Sequence, residues 1–170
     1  MSKGNLLCAF YPQDNHPPSS AMATLTTRNG HAVLAFDDTV DFEDAHFHGI
    51  MPWNYDSANG LTVWLIWMAA SATTLNVRWQ VSIERHRDET DDLDSDSFDG
   101  TGLSALSVTA TTAGTSGAVQ YTKIALADGD DDDVEAGESF RLKVRRDGDV
   151  VADNMVGDAQ LLAVELRETI

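Results

Sequence analysis

One cysteine, Cys8, occurs in 170 residues. It has no partner for an internal disulfide, which fits a reducing compartment or a fold that never needed a bridge. None is required, because a chain of this length buries roughly two-thirds of its unfolded surface. Long apolar runs are also missing. Val63–Ala70 is the longest, far short of the about 20 residues of a membrane-spanning helix. The LLCAF run near the N-terminus follows a single lysine and is too brief for the apolar part of a secretory leader. Positive charge is scarce. Lys and Arg number 11 against 28 Asp and Glu, a net charge of -17. Such a surface favours solubility and repels nucleic acid. Motifs for nucleophilic catalysis are absent as well: Gly114-Thr115-Ser116-Gly117 is one residue short of G-x-S-x-G. Cys8 has no local activating group, and no phosphate-cradling glycine pattern occurs. The expectation is a protein that is not an enzyme and that meets neither nucleic acid nor a membrane.

What the sequence does contain is β pattern. Val77, Trp79, Val81 and Ile83 alternate with Arg78, Gln80, Ser82 and Glu84, the period-2 signature of a half-buried strand. Just upstream, Leu61, Val63, Leu65 and Trp67 form one apolar face and Trp64, Ile66 and Met68 a second. A strand apolar on both sides needs two covers. One is the core. The other is expected to be a second sheet, an arm or another chain. Thr24–Thr27 and His31–Phe36 flank Asn29-Gly30, a strong hairpin signal. Further strands are expected at Ala45–Ile50, Leu103–Thr111, Ala118–Leu126, Ser139–Arg146 and Ala159–Arg167, with Leu162, Val164 and Leu166 sharing one face of the last. No amphipathic helix stands out, although Ser95 or Asp96 could cap a short turn over Ser97–Leu103. The pattern predicts an all-β fold, a jelly-roll-like antiparallel β-sandwich over residues 22–170. Residues 1–21 read as an extended N-terminal arm in which Leu6, Leu7, Ala9 and Phe10 could form a short strand that Asp14–Ser20, with Pro17-Pro18, cannot continue.

Nineteen of the twenty-eight acids crowd into Asp37–Asp44, Asp88–Asp99 and Asp128–Glu138. Several oxygen ligands on one loop suit calcium, which makes Asp92, Asp94, Asp96, Asp130 and Asp132 the candidate ligands. Neither long loop fits the twelve-residue calcium-loop pattern, and a solvated charged loop explains the same residues. His46 and His48 share one face of a strand, as the metal sites of cupin-type jelly rolls require. No glutamate follows at a useful distance, and Phe47 between them should point into the core, so the histidines should face outward.

Arg141, Lys143, Arg145 and Arg146 supply four of the eleven cations. The first three alternate along one strand face. They could pair with Glu84 or Glu165 on a neighbouring strand, or meet an acidic patch on an adjacent copy. Trp64, Ile66, Met68, Arg141, Lys143 and Arg145 are therefore the candidate interface residues. Trp53 and Tyr55 lie in a loop, where aromatic rings could stack on sugars or could simply pack over the end of a sandwich.

Taken together, ATLTTRNGHAVLAFDDT (Ala23–Thr39), HGIMPWNY (His48–Tyr55), LTVWLIWMAASATTLNVRWQVSIER (Leu61–Arg85) and GESFRLKVRR (Gly137–Arg146) resemble small β-sandwich proteins from the structural modules of tailed bacteriophages. The resemblance covers most of the chain and rests on texture, not on a catalytic signature. It implies a virion component made in the host cytoplasm: a capsid cement (decoration) protein, bound as a homotrimer to the lattice of the major capsid protein. An arm of about twenty extended residues reaching roughly 60 Å would then contact the lattice or a neighbouring subunit. The alternative is a tail-fibre or base-plate module that recognises host carbohydrate through Trp53 and Tyr55, with calcium in an acidic loop. A cupin-like metalloenzyme built on His46 and His48 is a third reading.

Overall fold

A computed structural model describes residues 4–71, 74–98, 106–126 and 129–170. Among these, ten strands are joined by loops and two single turns of 3-10 helix, Pro12–Asp14 and Ser57–Asn59. The strands are β1 (Leu6–Phe10), β2 (Thr24–Arg28), β3 (His31–Phe36), β4 (Glu43–Ile50), β5 (Leu61–Ala69), β6 (Asn76–His86), β7 (Leu106–Thr111), β8 (Gln120–Leu126), β9 (Ser139–Arg146) and β10 (Ala159–Glu168). They form two antiparallel sheets. One has the order β2-β3-β10-β5-β8, with β1 also paired to β10; the other runs β4-β9-β6-β7. Only β2-β3 and β6-β7 join strands consecutive in the chain, so most connections cross between the layers, the jelly-roll-like pattern predicted from sequence. The first part of the expected Leu103–Thr111 strand, and the end of the expected Ser97–Leu103 turn, lie outside the described residues.

Local chemistry accounts for much of this. Asn29 and Gly30 both take positive φ, 47° and 80°, as a two-residue hairpin turn requires. Val77, Trp79, Val81 and Ile83 on β6, and Phe140, Leu142 and Val144 on β9, are fully buried. Between the sheets Trp67 and Trp79 meet edge to face at 5.6 Å, and Phe36 packs on Trp79 at 5.2 Å. The Trp67 indole Nε1 donates to Thr122 Oγ1 at 2.8 Å, which satisfies its one polar atom in the core. Gly49 interrupts β4 because a Cβ there would lie 2.8 Å from the Phe140 ring; close packing demands the smallest residue.

Two expectations change. Leu6–Phe10 is the short strand the sequence allowed, but it is held against the body and not in a free arm. It runs along β10, and Phe10 is buried against Phe47 and Phe140, with ring centroids 5.4 and 6.3 Å away. His16 then donates its backbone N–H to His46 O, and Asn15 Oδ1 accepts from His46 N. Burying Phe10 and pairing its strand outweigh the freedom of a loose tail. The second change is on β10. A bulge between Leu161 and Ala163 shifts the alternation by one residue. Leu161, Val164 and Leu166 therefore point into the core, while Leu162 lines the outer surface of the sheet.

Arg146 holds the far end of the sandwich together. Its alternation with Val144 points it inward, and it is fully buried. Nε and Nη2 grip Asp153 in a two-pronged pair at 2.9 and 2.8 Å. The remaining N–H groups reach the carbonyls of Phe36, Gly157 and Met155 at 3.0, 2.8 and 2.7 Å. All five guanidinium donors are thereby used, and β9 of one sheet is tied to β3 of the other.

Candidate functional site

Three surfaces gather the residues singled out from sequence. The first is the end of the sandwich where β4, β8 and β10 finish and β5 and β9 begin. Pro52 ends the run of β4, and the following loop folds against the 129–138 loop. Met51 N donates to Glu138 O and Gly137 N to Met51 O, both at 2.8 Å. Tyr55 turns inward: it is buried, and its hydroxyl donates to Asp131 Oδ2 at 3.1 Å. Tyr55 is therefore a brace for the loop and not a surface contact, the packing alternative of the two that the sequence left open. Burial pushes the Asp131 carboxyl above its ordinary range. Its other oxygen accepts from Asp133 N at 3.2 Å.

Between these anchors Trp53 stands out of the protein at 85% exposure. The six-membered ring of its indole rests on Gly137, where a Cβ would come within 2.5–2.9 Å of Cη2, Cζ3 and Cζ2. Gly137 also has φ +86°, so two independent constraints select glycine beneath the ring. A hollow at the same end is lined by Ser57, Ala58, Asp131, Asp133 and Glu135. An aromatic face held in place can stack on the C–H face of a sugar ring, and carboxylates at the same end of the sandwich can accept hydrogen bonds from hydroxyls.

The second surface is the outer face of the four-stranded sheet. Here the basic stripe meets partners in its own chain. Arg141 pairs with Glu84 across β9 and β6. Arg145 grips Asp44 on β4 through two bonds at 2.6 and 2.8 Å, and its guanidinium lies 3.8 Å over the Phe42 ring. Lys143 and Arg141 both sit over Phe98, at 4.7 and 4.2 Å. Glu165 is on the other sheet and bonds Arg167 instead. Phe98 is the residue that sequence reasoning missed. It brings the acidic loop back over the sheet and is buried against His46, ring to ring at 5.0 Å. This packing desolvates His46 and pushes its pKa down to about 4, aided by Arg141, Lys143 and His48 and opposed by Asp44.

His46 and His48 do face outward together, as alternation requires, but His48 stacks on His16 at 4.7 Å and His46 lies under Phe98. His86 approaches Glu84 at 3.7 Å, and His31 is on the other sheet. Among the described residues no group of three or more His, Cys, Asp or Glu side chains is placed to hold a metal ion. The candidate calcium ligands are engaged in local turns or left apart: Asp92 Oδ1 accepts from Asp94 N, Asp96 Oδ1 from Ser97 N, and Asp132 Oδ2 from Arg85 N. Asp130 is half-buried at the head of the second loop.

The third surface is the outer face of the six-stranded sheet, which carries Trp64, Ile66 and Met68. Ile66 and Met68 are only 8% and 6% exposed in the single chain, and Trp64 is half-buried. Leu162 and Ala163 from β10, Tyr121 from β8, Val119 just before it, and Tyr11, Pro12 and Gln13 of the N-terminal segment line the surface beside Ile66 and Met68. Of the covers expected from sequence, a second sheet, an arm or another chain, the N-terminal segment and the neighbouring strands are in place within the single chain.

No family model matches the chain, and no curated protein matches its sequence. Solved structures do match. The CBM36-1 domain of a multidomain xylanase, from the hindgut metagenome of Trinervitermes trinervoides, overlays with a TM-score of 0.52 at 12% identity, over 96% of this chain and 98% of that one. The two share a fold. A carbohydrate-binding module described for specific mannan recognition, TmCBM27, gives a TM-score of 0.43 at 10% identity over 99% and 100% of the two chains. A ruminal GH26 endo-beta-1,4-mannanase gives 0.39 at 7% identity over 27% of its length. At such identities the likeness speaks to architecture: a small antiparallel β-sandwich.

Proposed function

We propose that the protein is a non-catalytic carbohydrate-binding β-sandwich module that uses Trp53 as its stacking platform. The observation that carries this reading is the Trp53 indole, 85% exposed and seated on a glycine. An indole already held in place by its glycine seat loses little freedom on binding. Asp133 and Glu135, in the hollow at the same end of the sandwich, supply acceptors for sugar hydroxyls. The fold shared with the CBM36-1 domain supports this reading over the capsid-cement role that the sequence texture implied. So does the burial of Ile66 and Met68 within one chain, which weakens the physical argument for an obligate assembly.

The test is binding to a panel of soluble polysaccharides, xylan and mannan included, by affinity electrophoresis and titration calorimetry. Wild type should bind at least one polymer, and Trp53→Ala should weaken that binding while melting at the same temperature. Wild-type protein that binds no glycan, or a Trp53→Ala protein that binds as well as wild type, would overturn the reading.

A further inference from the structure

The outer face of the six-stranded sheet holds two adjoining hollows of about 360 and 320 Å³. Each falls at the small end of the range of ligand pockets, about 300–1,000 Å³. They share His31 and Leu162 as lining residues, so together they form one trough. It crosses β3, β10, β5 and β8, four adjacent strands, or about 14 Å at the usual strand spacing. Its floor includes the buried Ile66 and Met68. Tyr11 and Tyr121 stand at one hollow, 57% and 54% exposed. Gln13, Arg28, Asn29 and His31 bring polar side chains to the rim.

Charge sets this trough apart. The protein has 28 acids in 170 residues, yet among the described residues no Asp or Glu lines either hollow. The hollow near Trp53, by contrast, has three acids among its five lining residues.

We propose that this trough is a second sugar-binding surface, which takes an extended stretch of an uncharged polysaccharide. The proposal rests on the carbohydrate-binding reading and deepens it. The apolar floor and the two tyrosines suit the C–H faces of successive sugar rings, and the rim offers both donors and acceptors to hydroxyls. The length exceeds a single ring. An acid-free lining gives a cationic polymer nothing to pair with here, and the overall charge of -17 repels an anionic one. This also accounts for the second apolar face of β5 without a second subunit.

The experiment uses the full chain and the same polysaccharide panel, with the anionic polymer polygalacturonate and the cationic polymer chitosan added. Variants are Trp53→Ala, Tyr11→Ala with Tyr121→Ala, and Val119→Asp, which sets a carboxylate at a half-exposed position of the lining. Melting temperatures establish that each variant is folded. The tyrosine pair and Val119→Asp should each weaken binding of the neutral polymer by about tenfold or more, with the remainder lost on adding Trp53→Ala. Affinity should change less than about twofold between low and high salt, as expected for an uncharged ligand. Full-strength binding by both trough variants, with loss only in Trp53→Ala, would overturn the trough and leave the carbohydrate-binding reading standing. Preference for polygalacturonate or chitosan would overturn the uncharged class. No binding of any polymer by wild type would overturn both.

Discussion

Replacing Arg146 with methionine should destabilise the fold more than almost any other single change. Methionine keeps much of the apolar stem but removes five donors. The Asp153 carboxylate, whose side chain is 2% exposed, would keep only the Arg78 backbone N–H at 2.9 Å. The carbonyls of Phe36, Gly157 and Met155 would each lose a partner. Breaking a buried pair from one side costs about 3–5 kcal/mol, because the other charge is left stranded. That is a large part of the about 5–15 kcal/mol that holds a typical domain together. For a domain of this size, about 2–4 °C of melting temperature goes with each kcal/mol, so the midpoint should fall by roughly 6–20 °C. Circular dichroism melts and urea titrations read the change. Arg146→Met combined with Asp153→Leu removes the stranded charge and should recover much of the loss. An Arg146→Met protein melting within about 2 °C of wild type would refute the argument that this pair clamps the two sheets.

Other outcomes follow from the same structure. Trp53→Ala, at an exposed position, should change stability by less than about 0.5 kcal/mol while lowering glycan affinity by roughly 5- to 150-fold. That range corresponds to the about 1–3 kcal/mol typical of stacking a flat ring on an aromatic side chain. Gly137→Ala should weaken the same binding with Trp53 intact, because the new methyl displaces the indole and strains a backbone at φ +86°; unchanged affinity would show that the ring does not depend on its seat. Tyr55→Phe leaves the buried Asp131 carboxylate without its hydroxyl donor and should cost about 1–3 kcal/mol, seen as a lower urea midpoint. His46 is held below its ordinary pKa, at about 4, so between about pH 6.5 and 4 the unfolded chain binds a proton that the folded one refuses. Its contribution to stability is therefore complete above that window and is lost as pH falls through it. His46→Gln should flatten the stability–pH curve there; an unaltered slope would mean that Phe98 does not desolvate the ring in solution.

Much of the architecture is local and so was legible in one dimension. Period-2 alternation defined β6 and β9, the Asn29-Gly30 pair defined its hairpin, and the outward placement of His46 and His48 followed from the inward placement of Phe47. Arg146 falls in step with Phe140, Leu142 and Val144 and is buried, a placement that its charge concealed in the sequence. The exposed Trp53 was also singled out from the loop that carries it. What sequence could not decide were the relations between residues far apart in the chain. Tyr55 is drawn inward by Asp131, and Trp53 is steadied by Gly137 on a loop some eighty positions later. Phe98 folds an acidic loop over Arg141 and Lys143, and a single bulge in β10 moves Leu162 from the core to the surface. Above all, whether the second apolar face of β5 needed another chain depended on the side chains that β8 and β10 lay beside it. Alternation records which residues of a strand share a face; only the order and register of strands from distant parts of the chain settle what covers that face.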